Sequence, residues 1–69
     1  MRALSGRDLA RLIERRGWRL LRINGSHYIY GKAGSIVRLT IPIHGNRPLK
    51  HGLQAHLVKM AELPEEDLS

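Results

Sequence analysis

Asn24-Gly25 stands between two runs that alternate in hydropathy, Trp18 to Ile23 and Ser26 to Tyr30. A two-residue hairpin loop of type I′ needs φ > 0 at both central positions, and Asn-Gly meets that need at the least steric cost. The dipeptide therefore commits the middle of the chain to an antiparallel hairpin. With 69 residues in all, the flanking segments must cover one face of that hairpin and nothing larger.

The flanks are legible. Ser5-Gly6-Arg7-Asp8 opens a helix: Ser5 can accept from the Asp8 amide, Asp8 can answer as a capping box, and Leu4 and Leu9 sit at hydrophobic-staple positions. Leu9, Leu12 and Ile13 continue at helical spacing, and Gly17 is a left-handed stop, which predicts a helix over 6–16. In the hairpin, Trp18, Leu20 and Arg22 are expected on one face, with Arg19, Leu21 and Ile23 on the other. A third strand is expected over Ser35 to Ile41, ended by Pro42, which has no N–H to pair. Leu53, Leu57, Met60 and Ala61 predict a second helix that stops before Pro64, and the acidic end PEEDLS reads as a frayed turn.

The order is α-β-β-β-α. Three antiparallel strands with both helices on one face close it with the least unpaired apolar surface, an α+β arrangement of the double-stranded-RNA-binding-domain class. Residues 1–69 read as one domain. A chain of this length buries only about 60% of the surface it exposes unfolded, so added stability from a partner is expected.

Charge narrows the function. The chain has 12 Lys and Arg against 6 Asp and Glu, and four of those acids (Glu62, Glu65, Glu66, Asp67) lie in the closing segment. Everything before Lys59 and including it holds all the basic residues and only Asp8 and Glu14 as acids. Nine of the bases are arginine, whose guanidinium fork matches phosphate, so a polyanion such as nucleic acid is the expected partner, with an acidic protein next. Cysteine is absent, which excludes disulfides and cysteine-held metal. No apolar run is long enough to span a bilayer, and the start, MRALSGRDLARL, has no signal-like core. The expectation is a soluble cytoplasmic protein with no membrane association.

Among the four histidines, His51 and His56 are five apart and off one helix face, and no H-E-x-x-H or Cys/His box occurs, so no metal site and no cofactor are expected. Two acids outside the tail do not furnish a two-metal nuclease. Histidine and cations suffice for RNA, because the ribose 2′-OH is an internal nucleophile and an imidazole can move its proton near neutral pH. His27 opens a strand beside the turn, where Gly25 leaves room for a phosphate and Ser26 offers a hydroxyl. His44 follows Pro42 on a loop. Arg22, Lys32, Arg38, Arg47 and Lys50 lie on strands or loops expected beside them. Each histidine could also be a plain surface residue, and Tyr28 and Tyr30, on the face opposite His27, are expected to pack under the helices. Trp18 is expected as a core anchor.

G25-S-H-Y-I-Y30, followed by R38-L-T-I-P-I-H-G45 and L49-K-H-G52, resembles the HicA (YcfA-like) toxin family. The resemblance covers the first helix, all three strands and the start of the second helix. It implies a double-stranded-RNA-binding-like fold, a ribonuclease (mRNA interferase) toxin that cleaves messenger RNA, a cognate HicB antitoxin, and His27 as the catalytic histidine. Two positions depart from the family pattern. Leu53 stands where threonine is common, and the strand 2–3 loop is G-K-A-G-S where many relatives carry Asp-Gly. A non-catalytic RNA-binding module with the same basic surface is the alternative reading.

Overall fold

The computed structural model describes residues 1–69. Its elements are helix α1 (Gly6–Arg15), strands β1 (Trp18–Asn24), β2 (His27–Lys32) and β3 (Leu39–Pro42), helix α2 (His51–Ala61) and a closing 3-10 turn (Glu65–Leu68). The sheet is antiparallel in the order β1-β2-β3, which is the expected α+β architecture.

The start of α1 follows from its local chemistry. Ser5 Oγ accepts from the Asp8 amide at 3.0 Å, and the stapling Leu4 and Leu9 are fully buried. The Asp8 carboxylate is directed to Arg11, 3.9 Å away, so the reciprocal half of the capping box is replaced by an exposed ion pair. The helix ends at Gly17, with φ +96.

Leu9, Ala10 and Ile13 of α1, Leu57 and Ala61 of α2, and Trp18, Tyr30, Leu39 and Ile41 of the sheet share one core. Trp18 is the anchor expected of it, with Lys32 Nζ 5.8 Å from the ring centroid. Tyr30 packs as expected and donates to Glu14 at 2.8 Å; burial and that carboxylate push its phenol well above the usual range. Tyr28 is half-buried on the same face.

Five expectations are corrected. A bulge at Leu21 shifts the β1–β2 register between Leu20 and Arg22. One extra residue inverts the phase of a strand, so Arg22 joins Ile29 on the open face and Ile23 joins Tyr28 on the helix face. The third strand is short: Ser35 Oγ accepts from the Val37 amide at 3.0 Å, and Ile36 is almost wholly exposed. A local side-chain bond there competes with the ladder. Pro42 is the last residue of β3, paired with His27, on an edge where a missing N–H is tolerated.

The second helix buries Gln54, Leu57 and Ala61, while Met60 is exposed. Finally, the acidic end is not frayed. Leu63 and Leu68 are buried, and Arg16 grips Asp67 through two 2.8 Å bonds.

Candidate functional site

The hairpin turn is shifted by one residue from the expected Asn24-Gly25. Asn24 pairs with His27, so Gly25 and Ser26 are the central residues. Gly25 has φ +63 and Ser26 has no positive φ, which is the signature of a type II′ turn with glycine first. The shift matters chemically. It makes His27 the first residue of the central strand, flanked by Asn24 on one side and Pro42 on the other. The imidazole is exposed on the open face, the face shared with Ile29, and Tyr28 and Tyr30 lie opposite.

The loop after β3 turns back to this point. Ile43 N donates to Ser26 O at 2.9 Å, and His44 Nε2 stands 3.5 Å from Ser26 Oγ, the outer limit of a hydrogen bond. Ser26 is thus next to His27 in the chain and next to His44 across the loop. Beyond His44 a groove of about 360 Å³ is lined by Pro42, Arg47, Pro48, Lys50 and Leu53 among others. Leu53, the departure from the family pattern, gives that groove an apolar wall.

What holds the loop is the part sequence reasoning missed. Gln54 is buried in the apolar face of α2. Its Oε1 accepts from Leu4 N at 2.8 Å, and its Nε2 donates to Arg2 O at 2.6 Å. Leu4 O in turn accepts from Leu49 N at 2.8 Å, and Ser5 bridges to Pro48. The N-terminal segment is thus an extra backbone partner for the loop, and one side-chain amide fastens it to α2. Gly6 completes the brace: a Cβ there would collide with the Pro42 carbonyl oxygen. The signal was a glutamine on the buried stripe of α2, one turn before Leu57, where an aliphatic residue is the usual occupant.

The five predicted cationic residues separate into groups. Arg47 and Lys50 share the His44 groove, and Arg22 lies on the open face opposite Ile29, near His27. Lys32 and Arg38 are not beside the histidine. Lys32 closes β2, about 16 Å from His27 at roughly 3.3 Å per residue, and is committed to the Trp18 ring. Arg38 lies against Gly31 with Nη1 donating to Ser35 O and Val37 O at 3.3 and 3.1 Å. Strand length, not residue type, separates them.

From residue 15 to residue 61 the chain has nine basic residues and no acidic one. The side chains that the sheet and loop themselves contribute are therefore cationic or neutral, and Glu14 of α1 meets the sheet on its helix face at Tyr30. No three His, Cys, Asp or Glu side chains come together to form a metal-binding group, and His51 and His56 are exposed on α2. No helix is long and apolar enough to cross a membrane. The site offers two imidazoles, a hydroxyl and guanidinium groups around an open strand start, equipment for moving protons beside a polyanion.

None of the curated proteins compared with the chain matches it. The family model described as "HicA toxin of bacterial toxin-antitoxin" matches residues 6–63, a span that contains α1, the whole sheet, the His44 loop and α2. By that match over most of its length, the chain belongs to the HicA toxin family of bacterial toxin–antitoxin systems.

Proposed function

We propose that this toxin is a metal-independent endoribonuclease, an mRNA interferase, with His27 as its catalytic histidine. The reaction is transesterification. His27 as general base takes the proton of a ribose 2′-OH, and the freed oxygen attacks the adjacent phosphorus. The bond from phosphorus to the 5′ oxygen breaks, leaving a 2′,3′-cyclic phosphate and a 5′-hydroxyl. His44 is the accessory group that returns a proton to the leaving oxygen. Ser26 orients His44, and Arg22, Arg47 and Lys50 balance the charge that develops on the phosphorane. Gly25, lacking a side chain at the turn, lets the phosphate approach. Lys32 and Arg38 act further along, on flanking phosphates.

The observation that carries this reading is an exposed His27 at the strand start, next in the chain to Ser26, whose hydroxyl stands 3.5 Å from His44 Nε2. The partner in the same reading is a HicB-like acidic antitoxin that covers His27, and the setting is the cytoplasm, where messenger RNA is met. The test is a single-stranded RNA with one 2′-deoxyribose at the scissile position, assayed in EDTA. The normal RNA is cut with chelator present and the substituted one is not. Equal cleavage of both would require a water nucleophile and overturn the mechanism; binding of both without cleavage would leave an RNA-binding module.

A further inference from the structure

Six large apolar side chains are exposed in this protein, and three of them, Leu20, Leu21 and Ile23, lie on β1. Every residue from Arg19 to Asn24 is exposed. β1 pairs only with β2, so one margin of a seven-residue strand offers its backbone N–H and C=O groups to solvent. The other margin of the sheet is β3, only four residues long and ended by proline. Nothing in RNA chemistry calls for aliphatic side chains on an open strand edge, whereas a protein strand does.

The bulge at Leu21 sorts the side chains of this edge. Leu20 pairs with Tyr30 and Ile23 with Tyr28, which places both aliphatics on the helix face. Arg19 pairs with Gly31 and Arg22 with Ile29, which places both arginines on the open face. An incoming strand that extends this sheet therefore meets Leu20 and Ile23 on one side, and on the other Arg19 and Arg22 with the bulged Leu21 between them. A second copy of the chain is disfavoured in the register centred on Leu20–Leu21, where symmetric antiparallel pairing would set Arg19 against Arg22. A bulge and like charges are the devices by which edges reject copies of themselves. Neither device bars a short strand of opposite charge.

We infer that β1 is a docking edge for an extended segment of an acidic protein, in which carboxylates alternate with aliphatic residues and which adds a fourth strand to the sheet. The segment's carboxylates pair with Arg19 and Arg22, its aliphatics continue the Leu20–Ile23 row, and its backbone takes up the free hydrogen-bonding groups. This edge is separate from the His44 groove, and the inference stands whether or not the protein cuts RNA.

The probe is a short capped peptide alternating glutamate with valine, titrated to millimolar concentration into the isotopically labelled full chain. The expected result is a set of amide shifts confined to residues 18–24, with slowed exchange of the β1 amides. A lysine–valine peptide produces none. N-methylation along one edge of the glutamate peptide abolishes the effect while keeping every side chain. Leu20→Thr with Ile23→Thr, exposed positions where threonine keeps strand propensity, weakens binding about tenfold with an unchanged fold by circular dichroism. Arg19→Glu with Arg22→Glu transfers the preference to the lysine peptide. Absence of shifts, equal response to both peptides, indifference to N-methylation, or shifts on the 43–50 loop would each overturn the inference. So would concentration-dependent β1 shifts without peptide, which would mean self-pairing.

Discussion

The two ends of the sheet carry similar charge on very different foundations. At the His27 end, a tight turn, the loop bond from Ile43 to Ser26 and the Gln54 clamp fix where His44, Arg47 and Lys50 stand. At the Lys32 end, the cations are spent locally, Lys32 over Trp18 and Arg38 on backbone carbonyls of an exposed loop. Charge density alone would make both ends equal candidates for a site. Backbone bracing does not, because catalysis needs a group held in one place, whereas binding a flexible polyanion needs only the field.

That contrast is best broken at its strongest point. His27→Ala should lower RNA cleavage about 100-fold or more, the scale of a positioned proton transfer, while circular dichroism and RNA binding stay near wild type. A folded variant that cuts at the wild-type rate removes His27 from the mechanism. His44→Ala sharpens the same point: loss of one limb of a bell-shaped pH–rate profile assigns it the partner role, and an unchanged bell assigns it none.

Next comes the brace itself. Gln54→Ala leaves the buried Leu4 N–H and the Arg2 carbonyl without their partner and opens a void, at a cost of about 2 kcal/mol measured by denaturant unfolding. The amides of the 43–50 loop should exchange faster in that variant, and those of Lys32 and Arg38 should not. Uniform acceleration at both ends would mean that the clamp stabilises the whole molecule rather than the site.

Arg47→Ala and Arg38→Ala then compare the ends directly. Each should reduce the log–log salt slope of single-stranded RNA binding by about 0.7 if it neutralises one phosphate. Only Arg47→Ala should also lower kcat, since only Arg47 shares the groove with His44. An equal fall in kcat for Arg38→Ala would erase the distinction.

The smallest effect belongs to the clasp at the chain's end. Arg16 holds the Asp67 carboxyl below the usual range by a side-chain hydrogen bond and by charge, and Asp67 raises the Arg16 guanidinium in return. A depressed carboxylate pKa stabilises the fold fully above its unfolded value of about 4, and the contribution is lost as pH falls through the folded value. Asp67→Asn should therefore lower Tm slightly at neutral pH, and the gap to wild type should close under acid. A constant gap would assign the loss to packing around Leu68.

Much of this was legible from residues that speak locally. Ser5 and Leu4 announce α1, and alternation about Asn24-Gly25 announces the hairpin. The turn's register was not, because Gly25 serves as well in the first central position of II′ as in the second of I′, and Ser26 accepts the remaining place. The Leu21 bulge left no mark, since Leu20-Leu21-Arg22 alternates poorly under either phase. The β-branched residues after Ser35 favour a strand, yet its own hydroxyl captures the Val37 amide. His27 carried its signal in the chain; the position of His44 depended on a bond to Ser26 across the sheet end, and that of Lys32 and Arg38 on strand length.

The clamp made by Gln54 joins distant parts of the chain, from Arg2 and Leu4 to the first turn of α2. A chain emerging from the ribosome presents the hairpin, with His27 in place, before α2 has emerged. The His44 loop has no fixed seat until Gln54 arrives, because the N-terminal strand partner of that loop is itself untethered. The order of synthesis thus places the hairpin ahead of the residue that seats the His44 loop, and that loop is fixed only once α2 has formed.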